Sequence, residues 1–373
     1  MKVFFSSFGC KVNSSENRYF LSVLKEKGFV ETKNIDDTDI IVINTCAVTQ
    51  IAAKKSKNHI SKMRERNRNA KIIVTGCLAE EYGIALKETG ADIVVSNGSK
   101  STLTEHILNL SDGFTAASEG AFSGGAVMNA SEGKTRAFFK IQDGCDAMCS
   151  YCIIPFLRGE PKSMPIEEAE RNFRSLLSLG YKEIVLVGIH IGLYGRELGY
   201  NIYSLLKRLA EMDGDFRIRL TSIEVNEIDD SLLSLIAEND KICRHLHIPL
   251  QSGSDRILSL MNRRYKRRDY MDTVLKARSA IPDITIGSDI IAGFPSESEN
   301  DFKETLDCLA EAGTDFFHAF PYSERPGTPA SSMENKVPLK ERHNRSEIIR
   351  EQGRLVQLNL YERLIGKKMR VLT

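Results

Sequence analysis

Gly144-Cys145-Asp146-Ala147-Met148-Cys149-Ser150-Tyr151-Cys152 places three cysteines at C-x3-C-x2-C spacing in one short loop. Thiolates at that spacing can wrap one face of an iron–sulfur cube, one per iron, leaving the fourth iron without a protein ligand. A structural metal site fills every position, whereas a catalytic one keeps a position open. The open iron is where a substrate or cofactor binds. A zinc site would pair C-x2-C with a second Cys or His pair at a set distance, and no such pair follows nearby. The third alternative is three unrelated buried thiols.

Working outward from the loop, residues from Lys134 alternate apolar runs with helical patterns. Strands are expected at 137–142, 183–187, 216–220, 244–250, 285–292 and 315–321. Helices are expected at 166–179, 202–211, 231–238, 270–280 and 300–312. Six β/α units predict a partial (β/α)6 barrel of TIM type, two units short of a closed one. Functional groups on such folds sit at the carboxyl ends of the strands, and the cysteine loop follows the first strand. Gly188 closes the second, and Ser222 and Glu224 follow the third. Gln251 and Ser252 end the fourth, and Gly293 ends the fifth. Glycine lets a ligand approach backbone, and Gln251 can bond ribose or carboxylate. The Gln251 segment reads equally well as a turn and helix cap.

Residues 1–110 show the same alternation on a smaller scale, with strands at 3–8, 39–45, 71–76 and 92–95 and helices at 14–27 and 48–68. This predicts an α/β domain with a small parallel, flavodoxin-like sheet. Cys10, Cys46 and Cys77 each follow a strand, and the carboxyl ends of parallel strands share the edge where ligands bind. The three therefore converge on a second three-thiolate site. The alternative is that cysteine, small and apolar, suits buried strand ends. Between the two alternations lies a Gly/Ser/Ala-rich stretch without apolar period, at 113–133, which reads as a linker.

The chain has 373 residues, 42% hydrophobic and 27% charged, enough for two domains with cores of their own. A net charge of +1 means that a nucleic-acid partner must be met by local patches. No run of about 18 apolar residues exists to span a membrane. The start, MKVFFSSFGC, has too short an apolar run for a secretory signal. Grouped cysteines in a cytoplasmic protein read as metal or catalytic ligands rather than disulfides.

The ordered motifs GCKVNSSEN (9–17), NTCAVT (44–49), TGCLAE (75–80), GCDAMCSYCIIPFLRG (144–159), LQSGSDRILSLMNRRY (250–265) and AGFPSESENDF (292–302) resemble, over essentially the whole chain, the methylthiotransferase family of radical S-adenosylmethionine (radical SAM) enzymes. GCKVN and CSYCIIP resemble its branch acting on N6-threonylcarbamoyladenosine at tRNA position 37. The resemblance implies two [4Fe–4S] clusters: an auxiliary one on Cys10, Cys46 and Cys77, and one on Cys145, Cys149 and Cys152 that binds SAM. Tyr151 would lie against the SAM adenine. One SAM would donate a methyl group, and a second would yield the 5'-deoxyadenosyl radical that abstracts hydrogen from adenine C2. Catalytic groups beyond the two clusters are not assigned. The partners implied are the tRNA anticodon stem-loop and an electron donor such as a flavodoxin or ferredoxin; the sequence names no sulfur donor.

The domains expected are 1–112 with the auxiliary cluster, the linker, the radical SAM partial barrel at 134–338, and a C-terminal helix at 339–373 leading into the start of a TRAM β-barrel that is absent or truncated. Basic residues of the second helix (Lys54, Lys55, Lys57, Lys62, Arg64, Arg66, Arg68 and Lys71) and RRYKRR around Tyr265 are candidate RNA contacts, or else solvated charge. Two further substrates fit the same chemistry: N6-isopentenyladenosine-37 of tRNA and a ribosomal-protein aspartate. A two-cluster electron carrier or sensor would need no polar rim and would not cleave SAM. A zinc-binding RNA module would be colourless and stable in air.

Overall fold

Ile40-Ile41-Val42-Ile43 is β-branched at every position, the pattern of a strand covered on both faces. It forms the centre of β3 (Ile40–Thr45), in which every residue is buried. The computed structural model describes residues 1–110 and 135–372, so the stretch expected as a linker at 113–133 lies outside the described residues. The chain divides into two compact units. The first takes in Met1–Asp146, Ile153–Ile189 and Tyr194–Gly199, and the second Ala147–Cys152, His190–Leu193 and Tyr200–Thr373.

The first unit begins with β1 (Lys2–Ser7), α1 (Lys11–Glu26), β2 (Val30–Glu31), β3, α2 (Gln50–Arg66), β4 (Lys71–Gly76), α3 (Cys77–Tyr82), β5 (Ile93–Val94) and α4 (Leu103–Leu108). Its strands form one parallel sheet in the order β2-β1-β3-β4-β5. That is the flavodoxin-like order, and it reverses between β1 and β3. Val3, Phe20, Leu24, Ile40, Val42 and Ile73 form its core. Next come β6 (Arg136–Lys140), β7 (Gln142–Asp143), α5 (Ile154–Arg158), β8 (Lys162–Ser163), α6 (Ile166–Ser178) and β9 (Glu183–Val187). Strands β6 and β9 pair in parallel, and β7 pairs antiparallel with β8. Helix α1 lies against β6, where the Ser15 hydroxyl donates to the Phe138 carbonyl at 2.9 Å.

The second unit carries α7 (Ile202–Ala210), β10 (Arg217–Leu220), α8 (Asp230–Glu238), β11 (His245–His247), α9 (Asp255–Leu260), α10 (Arg267–Ala280), β12 (Thr285–Ala292), α11 (Glu299–Glu311), β13 (Phe316–Pro321) and α12 (Leu339–Leu364). Strands β11, β12 and β13 pair in parallel. The even-numbered residues of β12 are buried, whereas Thr285, Asp289 and Ile291 on its other face are only partly covered. Strands and helices fall where periodicity places them, with shifted ends. Helix α10 starts at Arg267, three residues before the expected 270, where the Lys266 amide donates to the Asp269 carboxylate at 2.8 Å and caps the first turn. Among the described residues no closed barrel forms, and 365–372 carries no strand of a TRAM barrel.

One buried carboxylate ties the parts of the first unit together. Glu16 of α1 has no exposed side-chain surface. It accepts from Lys100 Nζ at 2.7 Å, Lys140 Nζ at 2.8 Å, Arg158 Nη1 at 3.2 Å and the Asn44 amide at 3.1 Å. Asp143 completes the group, accepting from Lys140 Nζ at 2.5 Å and Arg158 Nη1 at 2.9 Å. Burial alone would raise the Glu16 carboxyl, but Lys100, Lys140 and Arg158 outweigh it and hold it well below the ordinary range. Asp143 is lowered to about 2 by Lys140 and Arg158, again against its burial.

Removing one member of a buried ionic group strands the rest, at a cost of about 3–5 kcal/mol. Glu16→Gln is therefore expected to lower unfolding stability by about that amount; a loss under about 1 kcal/mol in urea melts would sink this account. A carboxylate with a depressed folded pKa contributes stability above its ordinary range and loses it as pH falls through the folded value. For Asp143 the loss runs from an ordinary 3.8 down to about 2. Asp143→Asn is expected to be less stable at neutral pH and to show a flatter acid limb over that window in pH-dependent melts.

Candidate metal centres and rim

The first three cysteines sit where the sheet order reverses and on the strand beside it. Cys10 follows β1 as the N-cap of α1, Cys46 follows β3, and Cys77 opens α3 directly after β4. The turns are fastened by side chains. The Asn13 amide donates to the Phe8 carbonyl at 2.8 Å and to the Thr45 carbonyl at 3.0 Å, joining the ends of β1 and β3. The Cys46 amide donates to the Ser56 hydroxyl at 3.2 Å. Gly9 has φ +86°, and a Cβ there would sit 2.4 Å from Cys46 Sγ. No larger residue fits without displacing that sulfur.

A cation lies beside these thiols. Arg158 ends α5, which packs on α3, and its side chain is 1% exposed. It donates from Nη2 to Asn13 Oδ1 at 2.9 Å as well as to Glu16 and Asp143. Its buried Nε has no hydrogen-bond partner among the described residues. Burial pushes the Cys46 thiol up to about 11, while Arg158 opposes that shift; Cys10 and Cys77 in turn favour the charged guanidinium. A metal that binds Cys46 must therefore expel a proton. Three thiols at a sheet edge, an orphaned buried donor and a glycine that makes room for a sulfur suit an anionic iron–sulfur cluster.

The second set lies in the loop that opened the sequence reading. Cys145 belongs to the first unit, where its amide donates to the Gly159 carbonyl at 3.0 Å. Cys149 and Cys152 belong to the second. There Ser150 donates from its amide to the Met261 carbonyl at 3.0 Å and from its hydroxyl to the Leu260 carbonyl at 2.7 Å. Arg263 Nη1 lies 3.3 Å from Cys149 Sγ, and Arg263 also pairs with Glu224. Tyr151 packs edge-on to Phe294 at 6.5 Å, beside Ile291.

The expected rim residues fall into different surroundings. Glu224 is half-buried, and burial raises its carboxyl even with Arg263 beside it. Ser222 is exposed and bridges to His247, and Gly188 is half-buried beyond β9. Gln251 stands in a left-handed conformation at φ +64°, its backbone bonded to Asp289 and Ile291. Ser252 is buried, with its hydroxyl 3.3 Å from that of Thr305. The Gly293 amide donates to Glu297 at 2.9 Å. Cys308 is buried and Cys243 half-buried.

RRYKRR does not present an aromatic to RNA. Tyr265 is 5% exposed, and its hydroxyl donates to the Pro249 and Leu250 carbonyls. Arg267 pairs with Glu311. A basic hollow of about 870 Å³ lies elsewhere in the second unit, lined among others by Arg217, Arg219, Arg244, Arg278, Arg363 and Lys367. Most of its charges come from separate segments, with Lys367, Lys368 and Arg370 the one short run among them. Arg158, Glu16 and the group His247, Asp289 and His318 also escaped the sequence reading. The last three offer ligand atoms within 4.8 Å of one another.

Comparison with known proteins agrees with this layout. The radical SAM superfamily profile matches residues 139–309, and that of Uncharacterized protein family UPF0004 matches residues 2–96. Threonylcarbamoyladenosine tRNA methylthiotransferase MtaB of Thermotoga maritima is 38% identical over 369 residues, covering 98% of this chain and 85% of the relative. The Bacillus subtilis protein of that name is 38% identical over 349 residues, covering 90% and 76%. The tRNA-2-methylthio-N(6)-dimethylallyladenosine synthase of Syntrophus aciditrophicus is 34% identical over 354 residues, covering 91% and 76%. Among solved structures, the radical SAM methyltransferase TsrM from Kitasatospora setae, with cobalamin and a [4Fe-4S] cluster bound, superposes with a TM-score of 0.67 at 13% identity. It covers 88% of this chain and 77% of its own. That likeness supports the fold class of a sheet domain followed by a partial barrel. The chain belongs to the tRNA methylthiotransferase family of the radical SAM superfamily, whose cofactors are SAM and [4Fe–4S] clusters.

Proposed function

We propose that this chain adds a methylthio group to C2 of N6-threonylcarbamoyladenosine at position 37 of tRNA, with one SAM as methyl donor and another as radical source. Cys145, Cys149 and Cys152 hold the cluster that binds SAM, and Cys10, Cys46 and Cys77 hold the auxiliary one. When bound, these groups supply one-electron cleavage of SAM and the sulfur that enters the base. The observation that carries the reading is the gathering of three thiols at the β1/β3 switch point and β4, beside the buried Arg158. A simple electron carrier has no need of a second such edge beside a partial barrel. Two relatives named for threonylcarbamoyladenosine are 38% identical, against 34% for the dimethylallyladenosine synthase described above.

The chain's own residues hold and shield these centres. Asn13 and Ser56 fix the turns that carry Cys10 and Cys46. Arg158 offsets the charge of ligated thiolates where water is scarce. Arg263 does the same at Cys149, and Glu224 orients it. Tyr151 would lie against the SAM adenine, and Ser222, Gln251 and Gly293 would contact the cofactor. Arginines of the basic hollow meet RNA phosphates, an attraction that salt weakens. A flavodoxin or ferredoxin supplies electrons in the cytoplasm. No helix among the described residues is long and apolar enough to cross a membrane.

Anaerobic reconstitution followed by iron and acid-labile sulfide counts tests the ligand sets. Wild type is expected to hold about eight irons per chain, falling to about four in Cys10→Ala/Cys46→Ala/Cys77→Ala. That variant is expected to cleave SAM without methylthio product on mass spectrometry of digested tRNA. About four irons in both proteins would remove the auxiliary cluster and the reading with it. Gly9→Ala is expected to fall toward about four irons as well, because the new Cβ strikes Cys46 Sγ; an unchanged count would mean the turn relaxes freely. Product on isopentenyladenosine tRNA or a ribosomal-protein aspartate, and none on threonylcarbamoyladenosine tRNA, would reassign the substrate.

A further inference from the structure

The open face of β11, β12 and β13 carries a polar and aromatic patch that neither cluster uses. Asp289 stands opposite His318 across the β12–β13 pair, and Gly287 stands opposite both His247 and Phe316. His247 Nε2 lies 3.0 Å and His318 Nδ1 3.3 Å from the same Asp289 oxygen, Oδ1. Burial would raise the Asp289 carboxyl, but the bonds from the two imidazoles outweigh it and lower it. Side-chain exposure climbs across the patch, from 11% at His247 to 26% at Asp289 and 57% at His318.

Rings surround the carboxylate. His247 and His318 stack at 5.5 Å, His245 and Phe316 stack at 5.9 Å with planes 4° apart, and Phe320 meets His318 edge-on at 6.5 Å. Phe320 is 47% exposed. A Cβ at Gly287 would lie 2.2 Å from the Phe316 ring and 2.9 Å from His247 Nδ1, so only glycine lets these rings lie over the strand. The patch adjoins the cysteine loop. Ile291, two residues beyond Asp289 and on the same face, packs in the cluster that includes Tyr151.

We propose that this face receives the target base, with His318, oriented by Asp289, hydrogen-bonding its polar N6 substituent and Phe320 packing beside the ring. The inference rests on the threonylcarbamoyladenosine reading and gives that reading its means of selection. A threonylcarbamoyl group carries ureido N–H groups, a hydroxyl and a carboxylate. An imidazole held by a carboxylate bonds such groups, and Asp289 Oδ2 accepts from an N–H or O–H. An apolar N6 substituent would desolvate Asp289 and His318 and return no hydrogen bond. Sites built on hydrogen bonds reject analogues that lack the group far more strongly than apolar pockets reject a misfit. Asp289 and His247 are positioning residues; His318 is the binding residue.

The test uses the full chain with both clusters reconstituted anaerobically. Its substrates are two anticodon stem-loop RNAs, identical except for threonylcarbamoyladenosine or dimethylallyladenosine at the target position. Both RNAs are compared by kcat/KM, and iron content monitors folding. Wild type is expected to prefer the threonylcarbamoyl RNA. His318→Leu is expected to lose about a hundredfold in kcat/KM on it, mostly through KM, and to lose little on the other RNA. His318→Gln, which keeps a donor, is expected to recover most of the loss, and Asp289→Asn to fall between. An equal loss on both RNAs at normal iron content overturns the proposal, since a structural role would act so. One zinc or manganese ion per chain that disappears in Asp289→Asn overturns it in favour of a metal site. If wild type leaves the threonylcarbamoyl RNA unmodified, the functional reading itself fails, a result distinct from an unchanged preference in the variants.

Discussion

A carboxylate with no access to water sets the terms for the first half of this protein. Glu16 belongs to α1, yet the charges that keep it ionised come from Lys100, Lys140 and Arg158. Each of those cations is itself buried, so none can be lost without stranding the others. The group ties the N-terminal sheet to β6 and α5 of the following fold. It also delivers Arg158 to the thiols, because that guanidinium spans Asn13, Glu16 and Asp143. Directional bonds from Asn44, Lys100, Lys140 and Arg158 add a geometric constraint to the apolar packing of the same elements.

The sheet puts that arrangement to chemical use. In a parallel sheet whose strand order reverses, two neighbouring loops leave in opposite directions and open a crevice. Cys10 and Cys46 stand on either side of that reversal, between β1 and β3, with Cys77 on the next strand. Helices begin at or just beyond two of the three thiols, and their amide ends favour anionic ligands. The second unit solves a different problem on the open face of β12, where strand alternation sorts buried from open positions. Even residues are buried, whereas Asp289 and Ile291 on the other face are only partly covered.

Much of this was legible in the residues. Cysteines at strand ends, a C-x3-C-x2-C loop and β/α alternation placed the candidate centres and the fold class, because those signals are local or repeat with a fixed period. What escaped was built by long-range convergence. Nothing about Arg158 in the sequence says that its neighbours are Asn13 and Glu16. The basic hollow gathers Arg217 and Arg219 of β10, Arg244 before β11, Arg278 of α10 and Arg363 of α12, charges that beyond the first pair sequence order keeps far apart. Tyr265 misled in the opposite sense. Its basic neighbours advertise a surface, whereas its hydroxyl is needed to close the turn after Pro249 and Leu250. Ser252 reads as a rim donor and lies buried against Thr305, since a short polar side chain serves a turn as readily as a ligand.

The reach of the Glu16 group also bears on how the chain is made. Arg158 lies 142 residues beyond its partner. At a synthesis rate of about 5–20 residues per second, roughly 7–28 seconds separate the two on the ribosome. Lys100 and Lys140 are made within that interval, and Arg158 is the last of the three cations to reach Glu16. A partly made chain therefore carries Cys10, Cys46 and Cys77 on an edge whose neighbouring guanidinium has yet to be synthesised.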